Sequence, residues 1–96
     1  MGCVGYEWLE IGLQRLRGIE PHEVMQVLTA KVRRPVPGRG PDGHPVLTIW
    51  GRTYEGRLLI VGTRQLTKWD RQIIGAREMR PSEIAEYEAW EATRDE

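Results

Sequence analysis

Arginines alternate with aromatic residues in the middle of this sequence, in the stretch WGRTYEGR at residues 50–57. Guanidinium groups bind phosphates through paired N–H donors, and aromatic faces stack on unpaired bases. The pattern therefore indicates an RNA-binding surface, for which we select six residues: Trp50, Arg52, Tyr54, Arg64, Lys68 and Arg71. The same residue types are equally typical of a solvated sheet face whose cations pack on aromatic rings.

Other kinds of chemistry find little support in the sequence. His22 and His44 are the only histidines, and neither lies at ligand spacing from a second metal-binding side chain. Cys3, the single cysteine, has no neighbouring histidine that would activate it as a nucleophile. The glycine-rich segment GRGPDG lacks the spacing of phosphate-binding loops, which argues against a kinase or a nucleotidase. We expect no metal site and no cofactor.

The formal net charge is zero, but the charges are unevenly distributed along the chain. Residues 1–30 carry two Arg and four Glu, for −2; residues 31–80 carry eleven Lys and Arg against four acids, for +7; residues 81–96 carry one Arg against six acids, for −5. A basic middle is typical either of an anion-binding face or of a solvated sheet that an acidic helix balances. We expect the acidic end to balance the basic strands, or to cover their site until something displaces it.

The elements that would carry these side chains follow from the apolar pattern. Leu9, Leu13 and Leu16 recur at helical spacing within EWLEIGLQRLRG and predict a first helix. Pro21 suits the first turn of a second helix, in the segment GIEPHEVMQVLTA. Residues 33–45 combine proline, glycine and charge, which predicts a long surface loop.

Three strand-like segments come next, VLTIWGRTY, RLLIVGTR and RQIIGAR, so we predict antiparallel strands within residues 46–77. The Glu-Gly pair at 55–56 suits a two-residue hairpin turn, in which Tyr54 faces Arg57. Because side chains alternate between the two faces of a sheet, this register puts Arg57 on the same face as Trp50.

Pro81 ends the last strand and begins a C-terminal helix over residues 81–93. The order of elements predicts an α+β fold, a small antiparallel sheet with helices packed on one face. With 96 residues the chain fits a single domain, 1–96. The longest apolar stretch, LLIV, is too short to span a membrane, and no secretory signal is recognisable, so we expect a cytoplasmic protein.

The segments GIEPHEVMQVL, IWGRTYEGRLLIVGTR, IIGAREM and EIAEY resemble the BrnT family, the toxins of bacterial type II toxin–antitoxin pairs. The resemblance extends along most of the chain, from Tyr6 to Glu88. Its most specific points are, in chain order, Gly18, Pro21, Glu23, Val24, Gly51, Arg52, Gly56, Arg57, Leu58, Leu59, Thr63, Ala76, Arg77, Met79, Glu83 and Tyr87.

The resemblance implies a RelE-like fold, an endoribonuclease activity that inhibits translation without a metal, and a BrnA-like antitoxin as partner. In such cleavage the ribose 2′-hydroxyl attacks the adjacent phosphate, which requires a cation for the developing charge and groups that move protons. For the cation we select Arg57 and Arg77. For proton transfer we select Glu78, Glu83 and Tyr87, although Glu83 and Tyr87 also suit a role in anchoring their helix.

Two alternatives come from other classes of protein. Arg17 stands where BrnT proteins commonly carry a histidine, and Gly75 where a serine is often found. The first alternative is therefore a catalytically silent module that binds an antitoxin-like protein or nucleic acid. The second is a structural or dimerisation protein that associates through exposed tryptophans, of which the sequence has four.

Overall fold

A computed structural model describes residues 5–40 and 43–94, so Cys3 lies outside the described residues. The elements are β1 (Gly5–Trp8), α1 (Glu10–Gln14), α2 (Pro21–Thr29), β2 (Arg33–Arg39), β3 (Pro45–Arg52), β4 (Leu58–Gln65), β5 (Asp70–Glu78) and α3 (Pro81–Ala92). The five strands form one sheet in the order β1-β5-β4-β3-β2. The predicted α+β class is confirmed.

The sheet has helices on both of its faces. One face, here called the α2 face, carries the larger core, which consists of Ile19, Val24, Val27, Leu28, Ile49, Leu59, Val61 and Ile73. The opposite face, the α3 face, carries a second cluster of Trp50, Ile60, Met79 and Tyr87. The sequence had indicated helices on one face only; α3 takes the other because the even-numbered residues of β3 and β4 also form an apolar patch.

The hairpin between β3 and β4 has a different register from the predicted one. Arg52 pairs with Leu58, and the N–H of Thr53 donates to the carbonyl of Arg57 at 2.9 Å, which leaves a three-residue loop. Gly56 adopts a φ of 88°, a conformation that glycine provides at little cost and that three-residue hairpin loops require. The predicted pairing of Tyr54 with Arg57 is wrong by one residue, so Arg57 lies on the α2 face, away from Trp50.

The predicted loop over residues 33–45 is also wrong in its first half, since residues 33–39 form strand β2. This strand pairs antiparallel with β3, from Arg33 opposite Gly51 to Arg39 opposite Pro45. It is an edge strand, and an edge strand leaves alternate N–H groups unbonded. Its two prolines, two residues apart, are tolerated for this reason.

The N-terminal segment forms a strand before its helix. β1 pairs in parallel with β5, from Gly5 opposite Asp70 to Trp8 opposite Ile73, so the sheet is mixed rather than purely antiparallel. The predicted first helix is reduced to α1, which lies against β5. A Cβ atom built at Gly12 would come within 2.8 Å of the carbonyl oxygen of Ile74, so glycine permits this close contact.

The two longer helices begin where the sequence predicts. Pro21 and Pro81 each occupy the first turn, and each helix begins with a capping box in which a glutamate three residues past the cap bonds back to the cap N–H. Within the described residues, no helix combines the length and the apolar character that crossing a bilayer demands.

Candidate nucleic-acid interface

The acidic helix α3 lies over the basic strands of its face. Four of its glutamates pair with arginines from three different strands: Arg34–Glu86 at 2.9 Å, Arg52–Glu91 at 3.0 Å and Arg77–Glu83 at 2.7 Å, with Glu88 as a more distant second partner of Arg52 at 3.7 Å. Two of these pairs are bidentate, in which a planar guanidinium donates two hydrogen bonds to one carboxylate. The acidic C-terminal helix therefore neutralises basic strand residues within the molecule. This agrees with the expectation that the acidic end of the chain balances the basic strands.

Arg77 and Glu83, both selected for catalysis, are joined most tightly. Glu83 accepts both Nη groups of Arg77 at 2.7 Å and also the N–H of Arg80 at 2.8 Å. The hydrogen bonds from Arg77, followed by the one from the Arg80 backbone, lower the pKa of Glu83 to about 2. A carboxylate with so low a pKa stays ionised at neutral pH and is a poor carrier of protons.

Tyr87 and Trp50 are core residues of the α3 face. Tyr87 is 0 % exposed, and burial raises the pKa of its hydroxyl. Arg52 lies over its ring at 5.9 Å. Trp50 is 7 % exposed and lies under Arg34 at 5.4 Å, while its indole N–H donates to Thr48. Both rings therefore pack under cations, which is the alternative to base stacking that the sequence left open. Neither ring offers a free face to a base.

Arg57 and Glu78 lie on the α2 face, because of the hairpin register. Arg57 donates to Gly18 O at 2.7 Å, to Glu23 at 3.0 Å and to Glu78 at 2.9 Å. The N–H of Glu20, with Arg57 as a further contributor, lowers the pKa of the Glu23 carboxyl. Arg57 thus joins the turn before α2, the start of α2 and the end of β5.

The five predicted catalytic residues therefore fall into two groups on opposite faces. Arg77, Glu83 and Tyr87 belong to the α3 face, and Arg57 and Glu78 belong to the α2 face. Since the sheet separates them, the two arginines cannot hold the same phosphate.

Part of the α3 face is left uncovered by α3. Gly62 and Gly75 pair opposite each other there, and together with Arg77 they line a shallow depression of about 230 Å³. Arg64 follows Gly62 on the same face, where its Nε donates to Gln72 at 2.7 Å. We call this band, from Arg77 across the two glycines to Arg64, the open strip.

A deeper groove of about 400 Å³ adjoins the Arg64 end of the open strip. It runs between α1 and the ends of β2 and β3, and it is lined by Leu9, Ile11, Arg15, Gly40, His44, Val46, Arg64 and Ile74. Sequence reasoning missed Arg15 and His44 as members of a site. No local signal identifies them, because segments distant in sequence bring them together.

The remaining predicted RNA-binding residues lie in turns or on the other face. Lys68 lies over the ring of Trp69 at 5.3 Å, and Trp69 is 59 % exposed in the loop between β4 and β5. Arg71 points to the α2 face, where its Nε donates to Thr63 Oγ1 at 3.1 Å. Tyr54 is 82 % exposed, but it lies alone at the tip of the hairpin between β3 and β4.

Among residues 5–40 and 43–94, no three histidine, aspartate or glutamate side chains gather where they could hold a metal ion. No model of a known protein family matches this chain, and no curated protein matches it either.

Proposed function

We propose that this protein is a BrnT-like module that binds single-stranded RNA along the open strip without cleaving it. The observation that carries the proposal is Arg64, which forms no ion pair with a carboxylate among the described residues and lies on the same face as Gly62 and Gly75; Arg77, paired with Glu83, lies at the other end of this floor. Guanidinium groups suit phosphates, and the space above Gly75, where a Cβ atom would meet nothing within 4 Å, lets a nucleic-acid backbone approach closely.

The dimensions of the open strip suit an extended strand. Arg77 pairs with Ile60, four residues before Arg64 on β4, so the two arginines lie roughly 13 Å apart along the strand direction. Beyond Arg64, the exposed ring of Trp69 with Lys68 over it provides a stacking surface for a base. Phosphate contacts and one stacking platform are the usual components of sequence-tolerant single-strand binding.

The arrangement of the candidate catalytic groups favours binding over cleavage. Beside Arg77, the nearest carboxylate is Glu83, whose pKa of about 2 suits neither a general base nor a general acid at neutral pH. Tyr87 is buried, and Glu78 faces the other side of the sheet with Arg57. Among the five selected residues, none therefore combines proximity to Arg77 with a capacity to move protons.

Binding is tested with a short fluorescent single-stranded RNA, by anisotropy, over a range of salt concentrations. We expect Arg64→Ala to weaken binding and to lower the slope of log K against log salt by about 1, since one phosphate contact is lost. Lys31→Ala is the matched control, because Lys31 is an exposed cation outside the open strip. Equal losses in both variants, or no binding by the parent protein, would contradict the proposal.

A ribonuclease toxin is the second candidate function, and the position of Arg77 at the edge of the open strip favours it. In that case a RelE-like active site would act on RNA, and a BrnA-like antitoxin would neutralise it. Incubation with RNA in a chelator distinguishes the two candidates: products that Arg77→Ala abolishes and Arg57→Ala retains would replace the binding proposal with cleavage. Either function would be exercised in the cytoplasm.

A further inference from the structure

The groove beside α1, which we call the α1 groove, differs in chemistry from the open strip. Half of its lining residues are aliphatic, Leu9, Ile11, Val46 and Ile74, and the imidazole of His44 is the one aromatic ring among the lining side chains. Ile11 is 46 % exposed there, an uncovered apolar side chain on a short helix. Aliphatic walls of this kind suit the apolar side chains of a protein segment.

The shape of the α1 groove depends on an irregularity in the sheet. The pairing of β4 with β5 shifts between Gly62 and Thr63, so that Ile74 has no partner residue across the strand. The side chain of Ile74 reaches the α3 face, since a Cβ built at Gly62 would lie 3.3 Å from its Cγ1. The bulge therefore supplies an apolar floor next to Arg64.

The charge of the α1 groove is positive. Arg15 and Arg64 line it, and within the described residues neither forms an ion pair with a carboxylate. By contrast, the three arginines farther along this face, Arg34, Arg52 and Arg77, are each paired with a glutamate of α3. The same face thus already holds one acidic helix, and the groove continues its basic surface beyond the end of that helix.

We propose that the α1 groove binds an acidic amphipathic segment of a partner protein. Aliphatic side chains of the segment lie on Val46 and Ile74, and its carboxylates pair with Arg15 and Arg64. Within this protein, α3 pairs its glutamates with arginines of the same sheet face; the partner segment would form the same kind of contact between two proteins. Because Arg64 belongs to both the α1 groove and the open strip, the partner segment and RNA compete for it.

The test uses two synthetic helical peptides as probes and the full-length protein. One peptide has leucines at a helical spacing flanked by glutamates, and the other has lysines in place of the glutamates. We expect only the acidic peptide to bind, and Arg15→Glu and Arg64→Glu each to weaken it about tenfold or more, the equivalent of one lost charge contact. Lys31→Glu, which makes the same change of charge outside the groove, should leave its affinity unchanged.

Three outcomes would overturn the proposal. The first is that both peptides bind equally well. The second is that Arg15→Glu does not reduce the affinity for the acidic peptide. The third is that the protein self-associates, that Ile11→Asp abolishes this association, and that the peptide does not displace it. The last would make a second copy of this chain the occupant. Arg15 is not part of the open strip, so loss of peptide binding in Arg15→Glu with RNA binding retained separates this proposal from the RNA-binding function. Circular dichroism of each variant checks that it folds.

Discussion

Arg77 and Glu83 share two hydrogen bonds of 2.7 Å, and these join the end of β5 to the first turn of α3. Glu83 performs two tasks at once, because it also accepts the N–H of Arg80 in the capping box of α3. The break at Pro81, between a basic strand and an acidic helix, therefore folds the helix back onto the strand that precedes it.

The Arg77–Glu83 pair makes the free energy of unfolding depend on pH in the acidic range. The folded-state pKa of Glu83 is depressed from 4.5 to about 2, so its stabilisation is complete above about 4.5 and is lost as the pH falls toward 2. We expect Glu83→Gln to lower the free energy of unfolding by about 1–2 kcal/mol at neutral pH, since Arg77 is partly exposed and screened. Urea unfolding at a series of pH values measures the difference between parent and variant, which should shrink below 4.5.

Glu88→Gln is the matched control for this experiment. Glu88 lies on the same helix, is 56 % exposed and approaches Arg52 only at 3.7 Å. A pH-independent difference for Glu83→Gln, or an equal one for Glu88→Gln, would show that the Arg77 pair does not govern acid sensitivity.

Arg57 is expected to act in stability and not in RNA binding. Its replacement by alanine removes hydrogen bonds to Gly18, Glu23 and Glu78 and leaves the buried Glu23 without its cation. We expect a loss of about 1–3 kcal/mol in unfolding free energy, with RNA affinity unchanged in the folded fraction. Denaturant unfolding and RNA anisotropy, both compared with Arg17→Ala, check the two parts. Loss of RNA affinity without loss of stability would return Arg57 to the candidate binding site.

The tryptophans should separate by role. Trp50 is 7 % exposed, so Trp50→Ala should lower the free energy of unfolding by about 3–5 kcal/mol. Trp69 is 59 % exposed, so Trp69→Ala should change stability by less than about 0.5 kcal/mol and should weaken RNA binding by removing the stacking surface. Thermal melts and RNA anisotropy of both variants make the comparison. A Trp69→Ala variant with undiminished RNA affinity would confine RNA to the strip between Arg64 and Arg77.

Two glycines should respond differently to an added methyl group. Gly12→Ala would put a Cβ 2.8 Å from the carbonyl of Ile74, which forces α1 away from β5, and we expect a loss of about 1–3 kcal/mol. Gly75→Ala meets no atom within 4 Å, so its stability should be equal to that of the parent or slightly higher. The same Gly75 variant should bind RNA less well if the nucleic-acid backbone approaches the strip. Equal stabilities of the two variants would contradict the close contact of α1 with β5.

Much of the fold could be predicted from local sequence. The starts of α2 and α3 follow from Pro21 and Pro81 with a glutamate two residues later, because proline and an acidic side chain both favour the first helical turn. Strands β3 to β5 follow from their apolar, β-branched segments. The N-terminal strand β1 could not be predicted, since its parallel pairing with β5 joins segments more than sixty residues apart.

The sequence by itself determined helices α2 and α3, strands β3 to β5, and the separation of charge into a basic middle and an acidic end. Only the tertiary structure decided which charges meet. One extra residue in the loop at Tyr54, Glu55 and Gly56 shifts every side chain of β4 to the opposite face, because strands have a period of two. That single step turned Arg57 toward Glu23 and α2, and it put Arg64 on the face that α3 leaves open. Local propensities do not fix such a register, which depends on how both faces pack against their helices.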